Sequence, residues 1–316
     1  MKTTFVEAIE QKDLRSLRKV AKSDLHNHSM MGGRLRSLER FYGKKLEPFR
    51  NGRKGVHGIN DWLGKVYRPV FDKPGAFRAA VDAAFIQAKS DGVTLLEMSM
   101  DAFMGRLLNI QPSEVVSTFT ESHRIFAPEI DFRPELGVSR SLPVRTILSL
   151  IEPYLDLEFF RSIDLYDIEN AQPLENFREL YRLAKKMGFK CKAHAGEFGD
   201  ADSVRKAVEV LELDEVQHGI GAAGSPEVMN WLAQRRIRLN VCPASNISLK
   251  RVRTYKTHPI RILFDHGVDV TVNTDDVMLF NAGNSEQFLR LFRSGLFNAE
   301  ELDLIRMNGL RDAKIP

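Results

Sequence analysis

Phe189-Lys-Cys-Lys-Ala-His194, Glu215-Val-Gln-His218, Ile237-Arg-Leu-Asn-Val-Cys242 and Val268-Asp-Val-Thr-Val-Asn273 decide the fold. Each run is short, carries apolar or β-branched residues, and reads as a strand. Helical patterns fill the gaps. Asp202 to Leu213 places Val204, Ala207, Val208 and Leu211 on one helical face. Ser225-Pro226-Glu227 opens a second helix, with serine as cap and proline in the first turn. His258 to His266 reads as a third, and Gly267 supplies its left-handed stop. Strand then helix, repeated, is the pattern of a parallel α/β sheet.

The same rhythm extends upstream. Lys22–His28, Val93–Met98, Ile130–Val138 and Phe160–Tyr166 read as four more strands, with helical patterns at Gly75–Asp91 and Glu175–Met187 between some of them. Eight strands alternating with helices predict an α/β fold, a single (β/α)8 TIM-type barrel. The 316 residues suit one such domain, spanning 1–316. The interval from Gly32 to Gly75 is rich in glycine, basic and aromatic residues, including Phe41, Tyr42, Trp62 and Tyr67. It follows the first strand, so it is expected to lie over the barrel mouth as an inserted lid, about 32–75.

Composition narrows the function classes. Hydrophobic residues make up 43% of the chain, enough for a substantial core. The formal net charge of +4 is too small to imply nucleic-acid binding. Cys191 and Cys242 are the two cysteines and form no CxxC pair, so neither a disulfide framework nor a thiolate metal knuckle is supported. Met1 to Ala21 is polar and charged, and no run of roughly 18 apolar residues occurs. The expectation is a soluble, cytoplasmic protein with no membrane partner.

Chemistry gathers at the strand ends. His26 and His28 are two apart on a strand, so both imidazoles share one face. His194 ends the fifth predicted strand, His218 the sixth, and Asp275 follows the eighth. All five fall at carboxyl ends, where barrel enzymes keep their active sites. A lone HxH, a lone loop histidine or an Asp-Asp turn carries little by itself. Their convergence on one barrel face is what points to a metal-activated water. His123, His258 and His266 lack such company and read as structural, as does Cys242 before Pro243. His57 lies in the expected lid.

The segments Asp24-Leu-His-Asn-His28, His194-Ala-Gly-Glu-Phe-Gly199, Val216-Gln-His-Gly-Ile-Gly221, Val241-Cys-Pro-Ala-Ser-Asn246 and Val272-Asn-Thr-Asp-Asp276 resemble the adenosine deaminase family of metal-dependent amidohydrolases. The resemblance implies one zinc ion per chain, held by His26, His28, His194 and Asp275. Three nitrogens and one oxygen suit zinc. It further implies hydrolytic deamination of an adenine nucleoside, adenosine to inosine and ammonia, by attack of an activated water on purine C6. Glu197 would protonate N1, His218 would orient the water, and Asp276 would hydrogen-bond the water or the departing ammonia. A general acid of this kind needs a carboxyl whose pKa the pocket raises. The other zinc deaminase signature, H-x-E with P-C-x-x-C, is absent.

Met30, Asp167 and Gly196 are the expected substrate contacts, and the first two depart from the family pattern. Met30 stands where the family carries an aspartate that binds the ribose 5′-hydroxyl, and a thioether cannot do so. Asp167 stands where the family has a glycine, so its side chain would narrow the approach to the ring. Leu96-Glu97-Met98-Ser99 replaces the family's Glu-x-Arg. Adenine, methylthioadenosine or AMP are therefore alternative substrates, and an inactive binding protein on the same fold is the alternative from another class. The intact set of acid, water-orienting histidine and ligands argues against the last. Arg34, Arg36, Arg40, Lys44, Lys45, Arg50, Arg53 and Lys54 face only Glu39 and Glu47, which reads as a solvated face. The sharper alternative is contact with a substrate phosphate.

Overall fold

The computed structural model describes residues 4–50, 54–71, 73, 75–311 and 313. Eight strands form: β1 (Lys22–His28), β2 (Val93–Asp101), β3 (Asp131–Ser139), β4 (Ser162–Tyr166), β5 (Lys190–Ala195), β6 (Glu215–His218), β7 (Arg238–Val241) and β8 (Val270–Val272). They lie in chain order, and each consecutive pair is parallel. β1 and β8 meet across a seam bridged by Asn27 and Asp275. The Asp275 N–H donates to His26 O at 2.9 Å there. Side chains do the rest: Asn273 Oδ1 accepts from Leu25 N at 2.8 Å, and Asp24 accepts from Thr274 N at 3.0 Å and Thr274 Oγ1 at 2.5 Å. The result is a nearly closed (β/α)8 barrel, as the alternating pattern predicts.

The last two strands are shorter than expected. Cys242 already turns into the helix Pro243–Ser248, whose proline cannot extend a ladder. Past Val272, Asn273 spends its side chain on Leu25 and Thr271. The expected helix Glu175–Met187 divides into a 3-10 turn, Leu174–Phe177, and a helix, Arg178–Lys186. Elsewhere the helices match closely, as with Ala76–Ser90 and Ala201–Leu211.

The segment between β1 and β2 is helical in pieces: Leu35–Tyr42, then Val56–Trp62 running through the π-helical Leu63–Tyr67 into Arg68–Phe71. Its aromatics anchor it. Trp62 Nε1 donates to Glu47 O at 2.8 Å, and Tyr67 OH donates to Met30 O.

Side chains alternate along the strands, and the outward set packs against the helices. Cys191, Ala193, Val216 and Leu239 are fully buried in that layer. The inward set is charged low in the barrel, where branched apolar residues are usual. Lys192 is wholly buried, with Nζ 2.8 Å from Glu135, 3.1 Å from Leu25 O and in contact with Glu97. Glu97 therefore sits inside the barrel, not at a substrate's outer edge. One turn of pleat above Lys192, on the same strand, lies His194. Among the described residues no helix is long and apolar enough to cross a membrane.

Candidate active site

β1 delivers His26 and His28 to the barrel mouth, β5 delivers His194 and β6 delivers His218. Asp275 and Asp276 follow β8. The ligand atoms of His26, His28 and His194 lie within 4.8 Å of one another. His26 Nε2 faces His194 Nε2 at 3.1 Å. Asp275 Oδ1 is 3.3 Å from His28 Nε2 and 3.6 Å from His26 Nε2. Two imidazole nitrogens pointed at each other beside a carboxylate make a donor set with nothing cationic between them. That arrangement fits a divalent ion.

Three of the four imidazoles are held from behind. His194 Nδ1 lies 3.1 Å from Asp164 on β4, which leaves Nε2 toward the cluster. His26 Nδ1 is 3.4 Å from Asn240 O and 3.3 Å from Cys242 Sγ. His218 Nδ1 is 3.3 Å from Asn246 Nδ2. Three site residues carry left-handed backbone: His218 at φ 64°, Asp275 at φ 57° and Asp167 at φ 85°. For residues with a Cβ this costs ~1–3 kcal/mol each, and such strain concentrates at functional sites.

The electrostatics separate the carboxylates. Burial pushes Glu197 well above the usual carboxyl range, and the charges of Asp275 and Glu169 add to it. Burial and the adjacent Asp275 raise Asp276 likewise. Asp275 goes the other way. Burial disfavours its charge, but the hydrogen bond from His28 and the imidazoles of His26 and His218 outweigh that and hold it low. Burial pushes His218 down to about 3, so it is a neutral imidazole. Its Nε2 lies 3.6 Å from Glu197 Oε2.

These groups floor a cavity of about 700 Å³, in the size range of small-molecule sites. His28, His194, Glu197, His218, Asp275 and Asp276 line its polar end. Met30, Met31, Ile59, Leu63, Phe103 and Leu107 supply apolar wall, with Asn60, Arg106, Ser139 and Thr146 as further polar lining. Met30 and Asp167 thus both face the cavity. Asp167 keeps glycine-like backbone, and its carboxylate is drawn aside by Ser139 Oγ at 2.6 Å, so the approach is not closed. Gly196 does not line this cavity. Its N–H is taken by Glu169, and its φ of 69° with a would-be Cβ 2.3 Å from Val204 explains the glycine as a turn requirement.

The adenosine deaminase family model matches residues 59–316. The chain belongs to the adenosine deaminase family. The candidate adenosine/adenine deaminase of Treponema pallidum is 33% identical over 304 residues, covering 93% of this chain and 100% of that protein. Among solved structures, adenine deaminase from Arthrobacter aurescens superposes with a TM-score of 0.80 at 23% identity, covering 94% of each chain. An amidohydrolase from Burkhoderia ambifaria, with bound Zn, gives 0.78 at 22% identity over 95% of this chain and 87% of that one. Both share the barrel fold.

In this deaminase several supporting residues escape sequence reading. Asp164 is visible as an inward strand carboxylate in Ile163-Asp-Leu165, yet nothing local pairs it with a histidine 30 residues on. Asn246 lies in a segment the family resemblance includes, without a role attached, and Cys242 reads from sequence only as structural. Glu169 is the largest omission: Oε2 accepts from Phe198 N at 2.8 Å and Gly199 N at 3.1 Å, and Oε1 accepts from Gly196 N. Side chains of the basic run have partners within the chain. Arg34 is tied to Gln87, Asn281 and Glu286, and Lys45 to Glu39. Arg53 lies outside the described residues.

Proposed function

We propose that the chain is a zinc-dependent aminohydrolase that converts adenosine to inosine and ammonia. The metal ligands would be His26, His28, His194 and Asp275, and the catalytic groups Glu197, His218 and Asp276. One observation carries the reading. A carboxyl group pushed up by burial, Glu197, adjoins a buried imidazole, His218, over a cluster of three imidazoles and a carboxylate, beside a cavity in the size range of small-molecule sites. Deaminases of this family are metal-dependent. When bound, the ion supplies the Lewis acidity that makes water nucleophilic near neutral pH.

The chain's own residues do the rest. Glu197 donates its proton to purine N1, so the ring does not accumulate charge as C6 becomes tetrahedral. His218, uncharged and accepting at Nδ1 from Asn246, keeps its proton on Nε2 and donates it to the oxygen of the attacking water, which fixes the water's direction. Asp276 Oδ1 is buried without a hydrogen-bond partner among the described residues and is free for the water or the leaving ammonia. The 32–75 segment is read as the lid, and among its described residues Val56, Ile59, Asn60 and Leu63 line the cavity wall.

A second reading has its own support. Met30, Met31, Leu63, Phe103 and Leu107 offer nothing to a 5′-hydroxyl and suit a free base or an apolar 5′ group, as in methylthioadenosine. Ammonia release from adenosine, deoxyadenosine, methylthioadenosine, AMP and adenine by zinc-loaded protein tests both. Fastest turnover of adenosine supports the first, and fastest turnover of adenine or methylthioadenosine supports the second. Release from none of the five would sink deamination of 6-aminopurines.

A further inference from the structure

A second cavity of about 600 Å³ adjoins the first, sharing Val56 and Leu249 in its walls. Its lining is cationic: Lys54, Arg140, Lys206 and Arg251, with His57, against the single carboxylate Glu169. The cations are arranged in depth. Arg140 is 8% exposed and sits at the floor, while Lys54, His57, Lys206 and Arg251 are exposed at the rim.

The partners of these charges decide what the cavity can hold. Lys54 pairs with Asp61 at 3.2 Å and Lys206 with Glu175 at 3.0 Å. Glu169 is the main opposing charge near Arg140, but both its oxygens are held by the three backbone N–H groups described above and neither reaches the guanidinium. Arg140 gives Nε and Nη2 to Gln172 O at 2.9 and 2.7 Å, which fixes the plane of the guanidinium. Among the described residues no carboxylate lies within ion-pair distance of Arg140 or of Arg251. Arg251 rests over the Phe198 ring at 5.0 Å. A buried guanidinium without a counterion is costly unless an anion completes it. Guanidinium forks match phosphoryl oxygens in geometry as well as charge.

We propose that this cavity is a binding site for a phosphoryl dianion, seated on Arg140 with Arg251 closing over it, beside the deamination site. Neither the metal cluster nor the purine-facing groups are used. The phosphoryl group has two sources, a phosphate carried by the substrate itself or a separate phosphate ion or ester.

Calorimetric titration of the whole chain at low ionic strength tests the site without reference to turnover. Inorganic phosphate is expected to bind one to one, and Arg140→Gln and Arg251→Gln to weaken it roughly tenfold or more each, as for a lost charge-assisted hydrogen bond. Lys44→Gln, on an exposed lysine outside the lining, is expected to change nothing. Arg251 is exposed, so its variant folds even if the Arg140 variant does not. AMP separates the sources. If it binds more tightly than adenosine and loses that advantage in Arg251→Gln, the phosphate rides on the substrate. If phosphate and adenosine bind together and AMP has no advantage, the anion is separate. The site is overturned if neither phosphate nor AMP binding responds to Arg251→Gln.

Discussion

Glu197, the proposed acid, sits in a loop held by one carboxylate. The three backbone N–H groups that bracket it, at Gly196, Phe198 and Gly199, converge on Glu169. An amide at 169 cannot accept all three equally, since one of its ends is a donor. Glu169→Gln is therefore expected to lower kcat about tenfold, with KM and zinc content near normal, because the acid is mispositioned and not removed. Loss of zinc or of folding instead would make Glu169 a structural residue. Glu197→Gln is the companion case. It should retain zinc yet lose roughly 10²–10⁴-fold in kcat, the usual worth of a general acid. Near-normal turnover by that variant would remove Glu197 from the role. Of the pair, Glu197 is the one that the run His-Ala-Gly-Glu brings forward as a candidate. Glu169 was not legible, because a carboxylate in a loop announces no partner until the fold brings three N–H groups to it.

At the scale of elements, strands were easier to read than what connects them. β1 was legible to the residue, since a run of seven ending in His-x-His admits one face and one boundary. β7 was over-read because Cys242 looks strand-like until the proline after it turns the chain into a helix. The helices of residues 32–75, between β1 and β2, were not legible. Glycine-rich, basic sequence shows little periodicity, and Trp62 and Tyr67 order it through distant backbone. Asp24 shows how one side chain joins elements. It is buried on β1 and ties the turn after β8 through Thr274 N and Oγ1. Asp24→Ala strands those donors and is expected to cost roughly 2–4 kcal/mol. Urea unfolding reads this as a lower midpoint. An unchanged midpoint would mean that the turn does not depend on Asp24.

For the molecule as a whole, buried ionisable groups set the pH range of stability. His258 is 1% exposed, far from the metal cluster in sequence, and accepts from Ile260 N at 3.2 Å at the start of the helix Ile260–Asp265. Burial pushes it from 6.5 down to about 3. Between those values the unfolded chain binds a proton that the folded chain does not. Stability is full above 6.5 and falls as the pH drops toward 3, by up to roughly 1.4 kcal/mol per pH unit from this group. His258→Asn, whose Oδ1 can replace the Nδ1 acceptor, should flatten the decline in unfolding midpoint between about pH 7 and about pH 5. An equal slope in both proteins would clear His258 of the effect. The seam between β1 and β8 carries a different consequence, one of time. Every other joint of the ring is laced by a ladder, and this one by a single bridge and a few side chains. A hoop breathes at its weakest joint, and here His26 and His28 stand on one bank with Asp275 on the other. An ion gripped by all three is a clasp. In chelated protein the amides of Leu25 and Asp275 should trade hydrogen for deuterium far sooner than in loaded protein, while those of β4 and β5 on the opposite wall keep their pace. A uniform change around the ring would show that no such clasp exists.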